Sequence, residues 1–595
     1  MNDTYKLHNE KLIIANCSGF FGDRFSAAQE MVQGGPIHFL TGDYLAELTM
    51  AILLRKQFKD PNAGYVTTFL KQMERVMGEC LDRRIRVVAN AGGLNPASLA
   101  KELEKVAESL GLHPKIAYIE GDNLMQRLQD LQDKGESFIH MDKGISLKEA
   151  GTQTISANAY LGCWGIVEAL NHDADIVVGG RIADAALVMG PAAWHFQWEK
   201  TDWDALAGAA VAGHVIECSA QATGGNYSFI EEVPSFKKVG FPIAELEKDG
   251  SSVITKHPGT GGLVSVGTVT AQLLYEVREP RYLTPDVAAR FDTIDIFQED
   301  VDRVRIQGVK GEPPTPTTKV CINNLGGYRN SMTIVLTGLD IEKKAQIVTE
   351  SLFDSLGGEE LFSVVDVQLI RSEKKNPSTN EEAFAHLRIS VMDPDPKKVA
   401  LFSSKLVELA LASIPGFTAT APPTKGVPAI MHWPALVSNE HIQQHVFVDD
   451  QEIVVKASVQ GEALHVTPVQ TRPIPSVSHA ETVSVPFGEL FATRSGDKGG
   501  NANLGVWSKT PDAFAFLRDY LSVERLKVLL KDLAEFDIER YELPNLLALN
   551  FYINGLLGDG VAASLRSDPQ AKTLGEYLRA RIVDVPKAIC PSDDI

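Results

Sequence analysis

Acidic and basic residues lie in short loops of small polar residues near the N-terminus, each directly after an apolar run. Asp23 and Arg24 share the first loop, Asp43 lies in the second, and Arg181 and Asp184 share the last. A carboxylate beside fixed N–H donors can transfer protons, and an arginine can bind a carboxylate or phosphate through two parallel hydrogen bonds. These loops therefore predict a site that moves protons on an anionic small molecule.

Two sets of residues carry this prediction. The predicted catalytic residues can exchange a proton or attack a carbonyl carbon, and they are Asp23, Asp43, Asp184 and Ser18. The predicted substrate-binding residues offer amides, hydroxyls, charges or unobstructed backbone, and they are Asn16, Arg24, Thr41, Asn90, Gly92, Gly93, Arg181, Arg494, Asp497, Lys498 and Asn501. For a single loop, glycine and aspartate also suit a turn or a helix cap. It is the set that favours a site.

The first loop also contains two possible nucleophiles, Cys17 and Ser18. Either could attack an acyl carbon if a base lay nearby. Ser18 is not in a G-x-S-x-G elbow, and a cysteine at the end of a strand is typically a small buried residue. A hydrolase or acyl-transfer enzyme is therefore an alternative hypothesis.

A second concentration of chemistry lies near the C-terminus. Residues 494–501 contain two cations, an acid and three glycines. This density favours a loop that closes on an anionic group, either in its own chain or in a neighbouring subunit. The other interpretation is a plain hairpin connection.

Familiar cofactor and metal signatures are not found. The glycine-rich residues 257–262 fit neither the dinucleotide pattern nor the P-loop, and the histidines and cysteines do not have zinc spacing. We predict no metal ligand and no resident cofactor, although CoA can enter as part of a substrate.

The loops follow a repeated order of strand, loop and helix. Apolar runs at residues 12–15, 37–40, 86–89, 116–119 and 175–178 each precede such a loop. Five units of this kind predict an α/β fold with a mostly parallel, doubly wound sheet. The loops would then lie together beyond the carboxyl ends of the strands.

Three domains are expected from the rest of the chain, at residues 1–310, 311–470 and 471–595. Glycine-rich turns and short strands, such as residues 263–269, suggest that residues 213–281 continue the first domain as a β-rich segment. A βαββαβ pattern between proline-rich joints at 311–316 and 471–478 predicts a ferredoxin-like α+β subdomain. A small α+β domain follows, with one long helix predicted over residues 512–533.

Composition restricts the class of partner. The chain has 595 residues and a formal charge of −20, so its average surface repels nucleic acid and anionic membranes. There is no leader-like start and no apolar run of about 18 residues, and the six cysteines form no CxxC pair. We expect a cytoplasmic protein with a small-molecule substrate, no nucleic-acid or membrane partner, and self-association into a homo-oligomer.

Several long motifs resemble the AtuA-like family, named for acyclic terpene utilisation. These are ANCSGFFGDR at 15–24, LTGDYLAE at 40–47, NAGGLNP at 90–96 and VGGRIAD at 178–184. RSGDKGGNAN at 494–503 resembles the small domain that accompanies that family, either fused or as a separate chain. The resemblance covers nearly the whole chain.

The resemblance implies breakdown of branched-chain or isoprenoid acids through acyl-CoA intermediates. On that basis we favour a lyase or hydratase acting on such an acid, as its CoA thioester. Two alternatives stay open. One is the hydrolase or acyl-transfer enzyme that uses Ser18 or Cys17, and the other is a non-catalytic accessory subunit of an acyl-CoA carboxylase-type complex.

Overall fold

A computed structural model describes residues 11–457 and 481–590 of the chain. From residue 12 to 217 its elements are β1 (Leu12–Asn16), α1 (Ala27–Gly34), β2 (Phe39–Gly42), α2 (Glu47–Gln57), α3 (Thr67–Asp82), β3 (Arg86–Ala89), α4 (Pro96–Leu110), β4 (Ile116–Glu120), α5 (Leu128–Asp133), α6 (Leu147–Ala150), β5 (Gln153–Ala159), α7 (Trp164–Asn171), β6 (Ile176–Gly179), α8 (Ala186–Phe196) and α9 (Trp203–Glu217).

From residue 242 to 456 the elements are β7 (Pro242–Leu246), β8 (Ser252–Lys256), α10 (Val266–Leu273), β9 (Arg281–Leu283), β10 (Ala288–Arg290), β11 (Asp295–Asp300), β12 (Arg303–Gln307), β13 (Lys310–Glu312), β14 (Thr317–Thr337), α11 (Ile341–Leu356), β15 (Val364–Ile370), β16 (Phe384–Asp393), α12 (Pro396–Glu408), β17 (Thr418–Ala419), β18 (Val427–Ser438), β19 (Gln443–Val448) and β20 (Gln451–Lys456).

The C-terminal elements are β21 (Thr482–Pro486), β22 (Phe491–Lys498), β23 (Asn501–Ser508), α13 (Pro511–Tyr520), α14 (Val523–Leu529), β24 (Ile538–Leu543), β25 (Ala548–Ile553), α15 (Leu574–Arg579) and β26 (Ile582–Pro586). The single helix predicted over residues 512–533 is therefore wrong. It is two helices, because Ser522 begins a new one by accepting the backbone N–H of Arg525 at 3.1 Å.

The largest sheet has eleven strands in the order β11-β12-β8-β7-β1-β2-β3-β6-β4-β19-β20. Its five central strands, from β1 to β4 in that order, are parallel and coincide with the five predicted apolar runs. The six outer strands pair antiparallel. The prediction of a mostly parallel sheet is therefore wrong for the whole sheet, because later hairpins extend both edges.

Helices cover both faces of the parallel strands. Met31, Phe69 and Leu99, from α1, α3 and α4, pack in one apolar cluster with the strands. Ala186 and Val211, from α8 and α9, belong to a second cluster that includes strand residues from the opposite face. These two layers fix the strand ends, and therefore the loops, against the rest of the fold.

One predicted strand is a helix. Residues 263–269 alternate like a strand, but α10 begins at Val266 because Ser265 caps it. The Ser265 hydroxyl accepts the backbone N–H of Thr268 at 3.2 Å, and the Thr268 hydroxyl accepts the backbone N–H of Ser265 at 3.0 Å. This reciprocal cap outweighs the β-branched residues that favoured a strand.

Between residues 317 and 419 the elements lie in the βαββαβ order. The strands β17, β14, β16 and β15 are neighbours in that order and pair antiparallel. This is the split-βαβ arrangement. The first half of β14 extends beyond it to pair with β5 and β18, which ties this region to the N-terminal one.

The C-terminal residues form a four-stranded antiparallel sheet in the order β22-β23-β25-β24. Residues 494–503, predicted as a loop, are mostly strand, and β22 and β23 form a hairpin that turns at Gly499 and Gly500. Gly499 has a φ of +63°, which suits glycine. The second predicted joint, residues 471–478, lies outside the described residues. Within the described part of the chain, no helix combines the length and apolar character needed to cross a membrane.

Candidate functional site

Asp43 lies at the carboxyl end of β2 and is only 6% exposed. Its Oδ1 atom accepts a hydrogen bond of 2.5 Å from the side-chain amide of Asn90, which follows β3, and one of 3.2 Å from the backbone N–H of Leu45. Burial and the negative charge of Asp184 raise the pKa of Asp43 well above its ordinary value, although Arg181 and Asn90 oppose the shift. Burial therefore favours the protonated form of Asp43.

Arg181 and Asp184 follow β6 and form a salt bridge of 3.0 Å. The Nη1 atom of Arg181 also donates to the carbonyl oxygen of Leu45 at 3.0 Å, and Nη2 donates to the hydroxyl of Tyr160 at 2.7 Å. Asp122 accepts the backbone N–H of Arg181 at 3.0 Å. Protein groups thus hold the arginine, whose side chain is 3% exposed, while that of Asp184 is 25% exposed and faces solvent.

Glu217 is the last residue of α9, and Asn16 fixes this end of the helix from β1. The side-chain amide of Asn16 donates to the carbonyl oxygens of Ile216 at 2.7 Å and Glu217 at 3.1 Å. The Glu217 side chain is buried. Burial and the charge of Asp184 raise its pKa well above the ordinary value, so Glu217 is a second carboxyl group whose protonated form is favoured.

His214 lies one helical turn before Glu217. Its Nδ1 atom is 3.1 Å from Oε1 of Glu217, and its ring centroid lies 4.8 Å from that of Tyr282. Burial, assisted by the charge of Lys498, lowers the pKa of His214 to about 4, so the imidazole is neutral at pH 7. Nε2 of His214 and Oε2 of Glu217 have no hydrogen-bond partner among the described residues. Both atoms are buried polar atoms whose hydrogen-bonding capacity is not used within the described residues.

Lys498, the last residue of β22, brings a positive charge to this cluster from the C-terminal domain. Its charge lowers the pKa of both Glu217 and His214, which requires the ammonium group to lie near the end of α9. Lys498 is half-buried, and no described residue forms a hydrogen bond or salt bridge with it. It is thus a cation positioned to meet an anionic group.

Glu276 adds a half-buried carboxylate whose charge raises the pKa of Glu217. It has a φ of +58°, a conformation that costs a non-glycine residue free energy. Asn503 of β23 stabilises it, since its Oδ1 atom accepts the Glu276 backbone N–H at 2.9 Å and its amide donates to the carbonyl oxygen of Leu274 at 2.6 Å. The C-terminal hairpin therefore stabilises the backbone conformation that places Glu276 at the site.

The arrangement separates acids from a base. Three carboxyl groups lie close enough to influence one another, and burial prevents all three from being ionised together. The salt bridge with Arg181 favours the charged form of Asp184, whereas burial favours the protonated forms of Asp43 and Glu217. Groups whose environments separate their pKa values in this way are suited to act as base and acid in one reaction. Within the described residues, no three histidine, cysteine or acidic side chains are arranged to hold a metal ion.

Asp23 and Arg24, predicted to join the site, brace their own loop instead. Asp23 accepts the backbone N–H groups of Gly19 at 2.9 Å and Arg24 at 2.7 Å. Arg24 donates to Glu30 at 2.8 Å and to the carbonyl oxygen of Val239 at 2.7 Å. These contacts give both side chains a structural role within the first loop, and their predicted part in a site stays a prediction.

Thr41, Gly92 and Gly93 also make contacts within the protein. The Thr41 hydroxyl donates to the carbonyl oxygen of Ala15 at 3.3 Å. A Cβ atom on Gly92 would lie 2.6 Å from the carbonyl oxygen of Gly179, and one on Gly93 would lie 2.7 Å from the carbonyl oxygen of Gly64. These glycines allow backbone segments to approach each other, and the space beside their Cα atoms is filled by protein.

Of the other predicted residues in the C-terminal hairpin, Arg494 is buried, with its guanidinium 4.4 Å from the ring centre of Tyr275 and in contact with Gln221. Asp497 forms a salt bridge of 3.5 Å with Lys572. These contacts hold the hairpin against the N-terminal region.

Asn501 anchors the tip of the hairpin. Its side-chain amide donates to Asp142 at 2.9 Å and to the hydroxyl of Tyr552 at 2.7 Å, while its Oδ1 atom accepts the backbone N–H of Gly555 at 2.7 Å. Asn501 therefore fixes the hairpin tip next to Lys498, with which it pairs across the two strands.

Ser18 and Cys17 lack the surroundings of a nucleophile. The Ser18 hydroxyl is fully buried and donates to the carbonyl oxygen of Phe20 at 3.1 Å. The Cys17 sulfur lies 3.8 Å from the hydroxyl of Tyr44, and burial raises the pKa of the thiol to about 12. A thiol with so high a pKa is protonated and unreactive at neutral pH.

The sequence prediction missed Glu217, Glu276 and the role of His214. His214 and Glu217 are spaced i, i+3 on one face of α9, a weak signal that matches many buried helix pairs. Glu276 has no sequence signal, because its position depends on contacts with β23, more than 200 residues away in the chain.

Comparison with protein families gives two matches. A model described as acyclic terpene utilisation family protein AtuA matches residues 12–448, and one described as AtuA ferredoxin-like domain matches residues 485–584. The second description applies to the C-terminal domain, whereas the sequence prediction used the term for residues 311–470. No significant match was found to a curated protein or to a solved structure.

Proposed function

The chain belongs to the acyclic terpene utilisation family AtuA, which supports a role in terpene metabolism, and from that premise we propose that it is a lyase or hydratase. Its substrate is a branched-chain or isoprenoid carboxylic acid, bound as the CoA thioester. The reaction is a proton transfer at the carbon beside the thioester carbonyl, coupled to loss or addition of a group at the next carbon.

One observation carries the proposal: Asp43 and Glu217 are buried carboxyl groups whose pKa values are raised by burial and by the charge of Asp184, and Asp184 itself is paired with Arg181. Lyases and hydratases need a base that removes a proton from carbon and an acid that protonates the departing oxygen. Burial and charge favour these two different states within one cluster.

The remaining residues complete the assignment. Asp184 is the exposed member of the cluster and accepts the proton from the carbon beside the carbonyl. Glu217, whose Oε2 atom has no hydrogen-bond partner among the described residues, donates its proton to the leaving hydroxyl group, which departs as water. Lys498 stabilises the negative charge that develops on the carbonyl oxygen, because charge stabilisation in a partly desolvated site is a large contribution to catalysis.

Asp43, more deeply enclosed than Asp184, positions the base. Its protonated carboxyl group and Arg181 together set the charge around Asp184, and Asn90 fixes its orientation. The alternative hydrolase mechanism has less support, since Ser18 is hydrogen-bonded and buried and the pKa of Cys17 is about 12.

Turnover tests the proposal. The purified full-length protein is incubated with a panel of branched-chain and isoprenoid acyl-CoA thioesters, saturated, unsaturated and 3-hydroxylated, and with the corresponding free acids. Mass spectrometry detects gain or loss of water and cleavage of carbon–carbon bonds. Turnover of at least one thioester that disappears in Glu217→Gln is expected, whereas a panel that gives no product and no binding would overturn the proposal.

A matched control variant distinguishes loss of catalysis from a non-specific loss of activity in a purified variant. Asp354, on the exposed face of α11, is far in sequence from the cluster and has no role in it. Asp354→Asn should retain the activity of the natural protein. A covalent acyl-enzyme that is lost in Ser18→Ala or Cys17→Ala would instead favour the hydrolase mechanism.

A further inference from the structure

Three arginines from different parts of the fold come together away from the carboxyl cluster. Arg55 lies in the last turn of α2, Arg329 in β14 and Arg388 in β16. The charges of Arg55 and Arg388 both bear on Arg329 and, with burial, lower its pKa. Contacts agree with this proximity: Arg329 and Arg388 both donate to the segment 564–567, and Arg55 donates to Pro428, whose neighbour Val427 pairs with Arg329 in the sheet.

Neutral acceptors hold these cations. Arg55 donates to the carbonyl oxygen of Pro428 at 3.2 Å. Arg329 donates to the carbonyl oxygen of Ser564, and Arg388 donates to the hydroxyl of Ser567 at 2.9 Å. The segment that supplies the last two acceptors belongs to the C-terminal domain.

Carboxylates are missing from this cluster. Among the described residues, none of the three arginines forms a salt bridge, and no acidic residue offsets the lowering of the Arg329 pKa. The buried Nε atom of Arg329 has no hydrogen-bond partner in the described part of the chain. The same segment also contains Arg566.

Without a neutralising anion, such a cluster of arginines costs free energy of folding. Carbonyl oxygens satisfy single N–H groups but do not neutralise charge, and like charges in a partly buried position repel each other. Acidic residues outnumber basic ones by 77 to 57 in this chain, so the absence of carboxylates beside these arginines does not reflect a shortage of acidic residues. Guanidinium groups left without carboxylates match the bidentate geometry of phosphate oxygens.

The cluster lies at a useful distance from the carboxyl groups. His432 of β18 packs against Gly499, the neighbour of Lys498. From His432 to Pro428, the residue that Arg55 contacts, β18 runs four residues, or about 13 Å in an extended strand. Helix α2 begins at Glu47, shortly after Asp43, and extends about 12 Å from its start to Arg55. A phosphopantetheine arm spans a comparable length.

We infer that Arg55, Arg329 and Arg388 form a phosphate-binding site that holds the phosphate groups of an acyl-CoA substrate while its thioester lies near Lys498. The inference rests on the proposed function for the identity of the ligand, but the site itself is argued from the arginines alone. It assigns the N-terminal, split-βαβ and C-terminal regions a shared part in binding one molecule.

Calorimetry with the full-length protein tests the site without requiring turnover. The probes are CoA, dephospho-CoA, pantetheine and inorganic pyrophosphate. We expect CoA to bind, dephospho-CoA and pyrophosphate to bind at least tenfold more weakly, and pantetheine, which lacks phosphate, to bind weakest of all. Pyrophosphate binding as tight as that of CoA would overturn the assignment to CoA, and equal binding of CoA and pantetheine would overturn the phosphate site.

Variants then locate the binding. Arg388→Gln and Arg55→Ala should each weaken CoA binding by at least tenfold and leave pantetheine binding unchanged. Arg329→Gln is the stronger test if it folds, but the other two keep the inference falsifiable because Arg55 is exposed and Arg388 is half-buried. Arg525, which contacts Tyr520 on the surface, provides the matched control Arg525→Ala. CoA affinity that is equal in all four variants would overturn the site.

The two proposals fail separately. If CoA binds through these arginines but no thioester is turned over, the phosphate site stands and the proposed reaction falls. If thioesters are turned over and Arg388→Gln and Arg55→Ala leave KM and Kd unchanged, the reaction stands and the phosphate site falls.

Discussion

Lys498, in the C-terminal hairpin, lies close enough to Glu217, at the end of α9, to lower the pKa of that buried carboxyl group. The two residues are separated by almost 300 positions in the sequence and come from regions matched by two different family models. Neither region alone contains both the acid and the cation that faces it. The proposed active site is therefore complete only when the C-terminal domain is in place.

Replacing Lys498 by methionine should raise KM and reduce kcat, because the substrate carbonyl loses its cation. The same change removes the charge that lowers the pKa of Glu217, so that pKa should rise. The limb of the kcat profile that reports loss of the Glu217 proton should move to higher pH. Steady-state kinetics between pH 5 and 9 measure both effects.

Lys498→Arg is the matched control, since it keeps the charge. It should recover most of the affinity and the natural pH profile. A Lys498→Met profile that overlays that of the natural protein, with unchanged KM, would show that the hairpin is only a structural support.

Glu217→Gln should reduce kcat by about 10² to 10⁴-fold, the usual contribution of a general acid. Glutamine has the same shape but cannot donate a labile acidic proton, so the fold should be retained. Single-turnover kinetics and the midpoint of thermal unfolding distinguish loss of chemistry from loss of structure. Activity within threefold of the natural protein would remove Glu217 from the mechanism.

The parallel sheet explains why part of the site was predictable. Asp43, Asn90, Arg181 and Asp184 follow three neighbouring parallel strands, and the carboxyl ends of such strands meet at one edge. The sequence shows the strands and the loops, so it also indicates that these side chains converge. The sequence does not show which way each side chain points. Asp23 and Arg24, after β1, were therefore also predicted to join the site, and in the structure they brace a loop.

His214→Gln tests the histidine through stability. The pKa of His214 is about 4 in the folded protein and about 6.5 in an unfolded chain, so the unfolded state binds the proton more tightly. Stability from this residue is present above pH 6.5 and is lost as the pH falls towards 4. Between pH 7 and pH 5 the natural protein should lose about 2 kcal/mol more unfolding free energy than the variant.

Urea unfolding at the two pH values measures this difference. Glutamine at 214 can keep a hydrogen bond to Glu217 without titrating, so other acidic groups contribute equally to both proteins. The same loss of stability in both would contradict a buried, neutral His214.

Asn16→Ala should displace Glu217, because Asn16 holds the end of the helix that carries this residue. Its amide holds the carbonyl oxygens of Ile216 and Glu217, and leaving them unpaired in the interior costs about 1–3 kcal/mol of stability. Because Glu217 then shifts, the pH profile of kcat should move as well. Asn16 is in this account a positioning residue.

The control for Asn16 is a similar amide elsewhere. Asn439 is buried and donates to the carbonyl oxygen of Thr315 at 2.9 Å. Asn439→Ala should lower stability by a similar amount without moving the pH profile. If both variants leave the profile in place, Asn16 stabilises the fold and nothing more.

Long-range contacts explain what the sequence could not predict. Glu276 meets the site because Asn503 and Asn550 of the C-terminal sheet hold the backbone of residues 274–278. Such contacts depend on how two separately patterned regions dock. The hairpin itself was predicted as an anion-binding loop, and its last strand residue, Lys498, lies close enough to the carboxyl cluster to lower the pKa of Glu217.

Exchange of hydrogen at the carbon beside the thioester carbonyl is a direct test of proton transfer by Asp184. The protein is incubated in D₂O with a branched-chain or isoprenoid acyl-CoA that it binds, and deuterium at that carbon is followed by NMR and mass spectrometry. We expect incorporation that is fast in the natural protein and in Asp354→Asn and at least a hundredfold slower in Asp184→Asn. A bound thioester that gains no deuterium, or gains it equally fast in Asp184→Asn, would contradict proton transfer by this cluster.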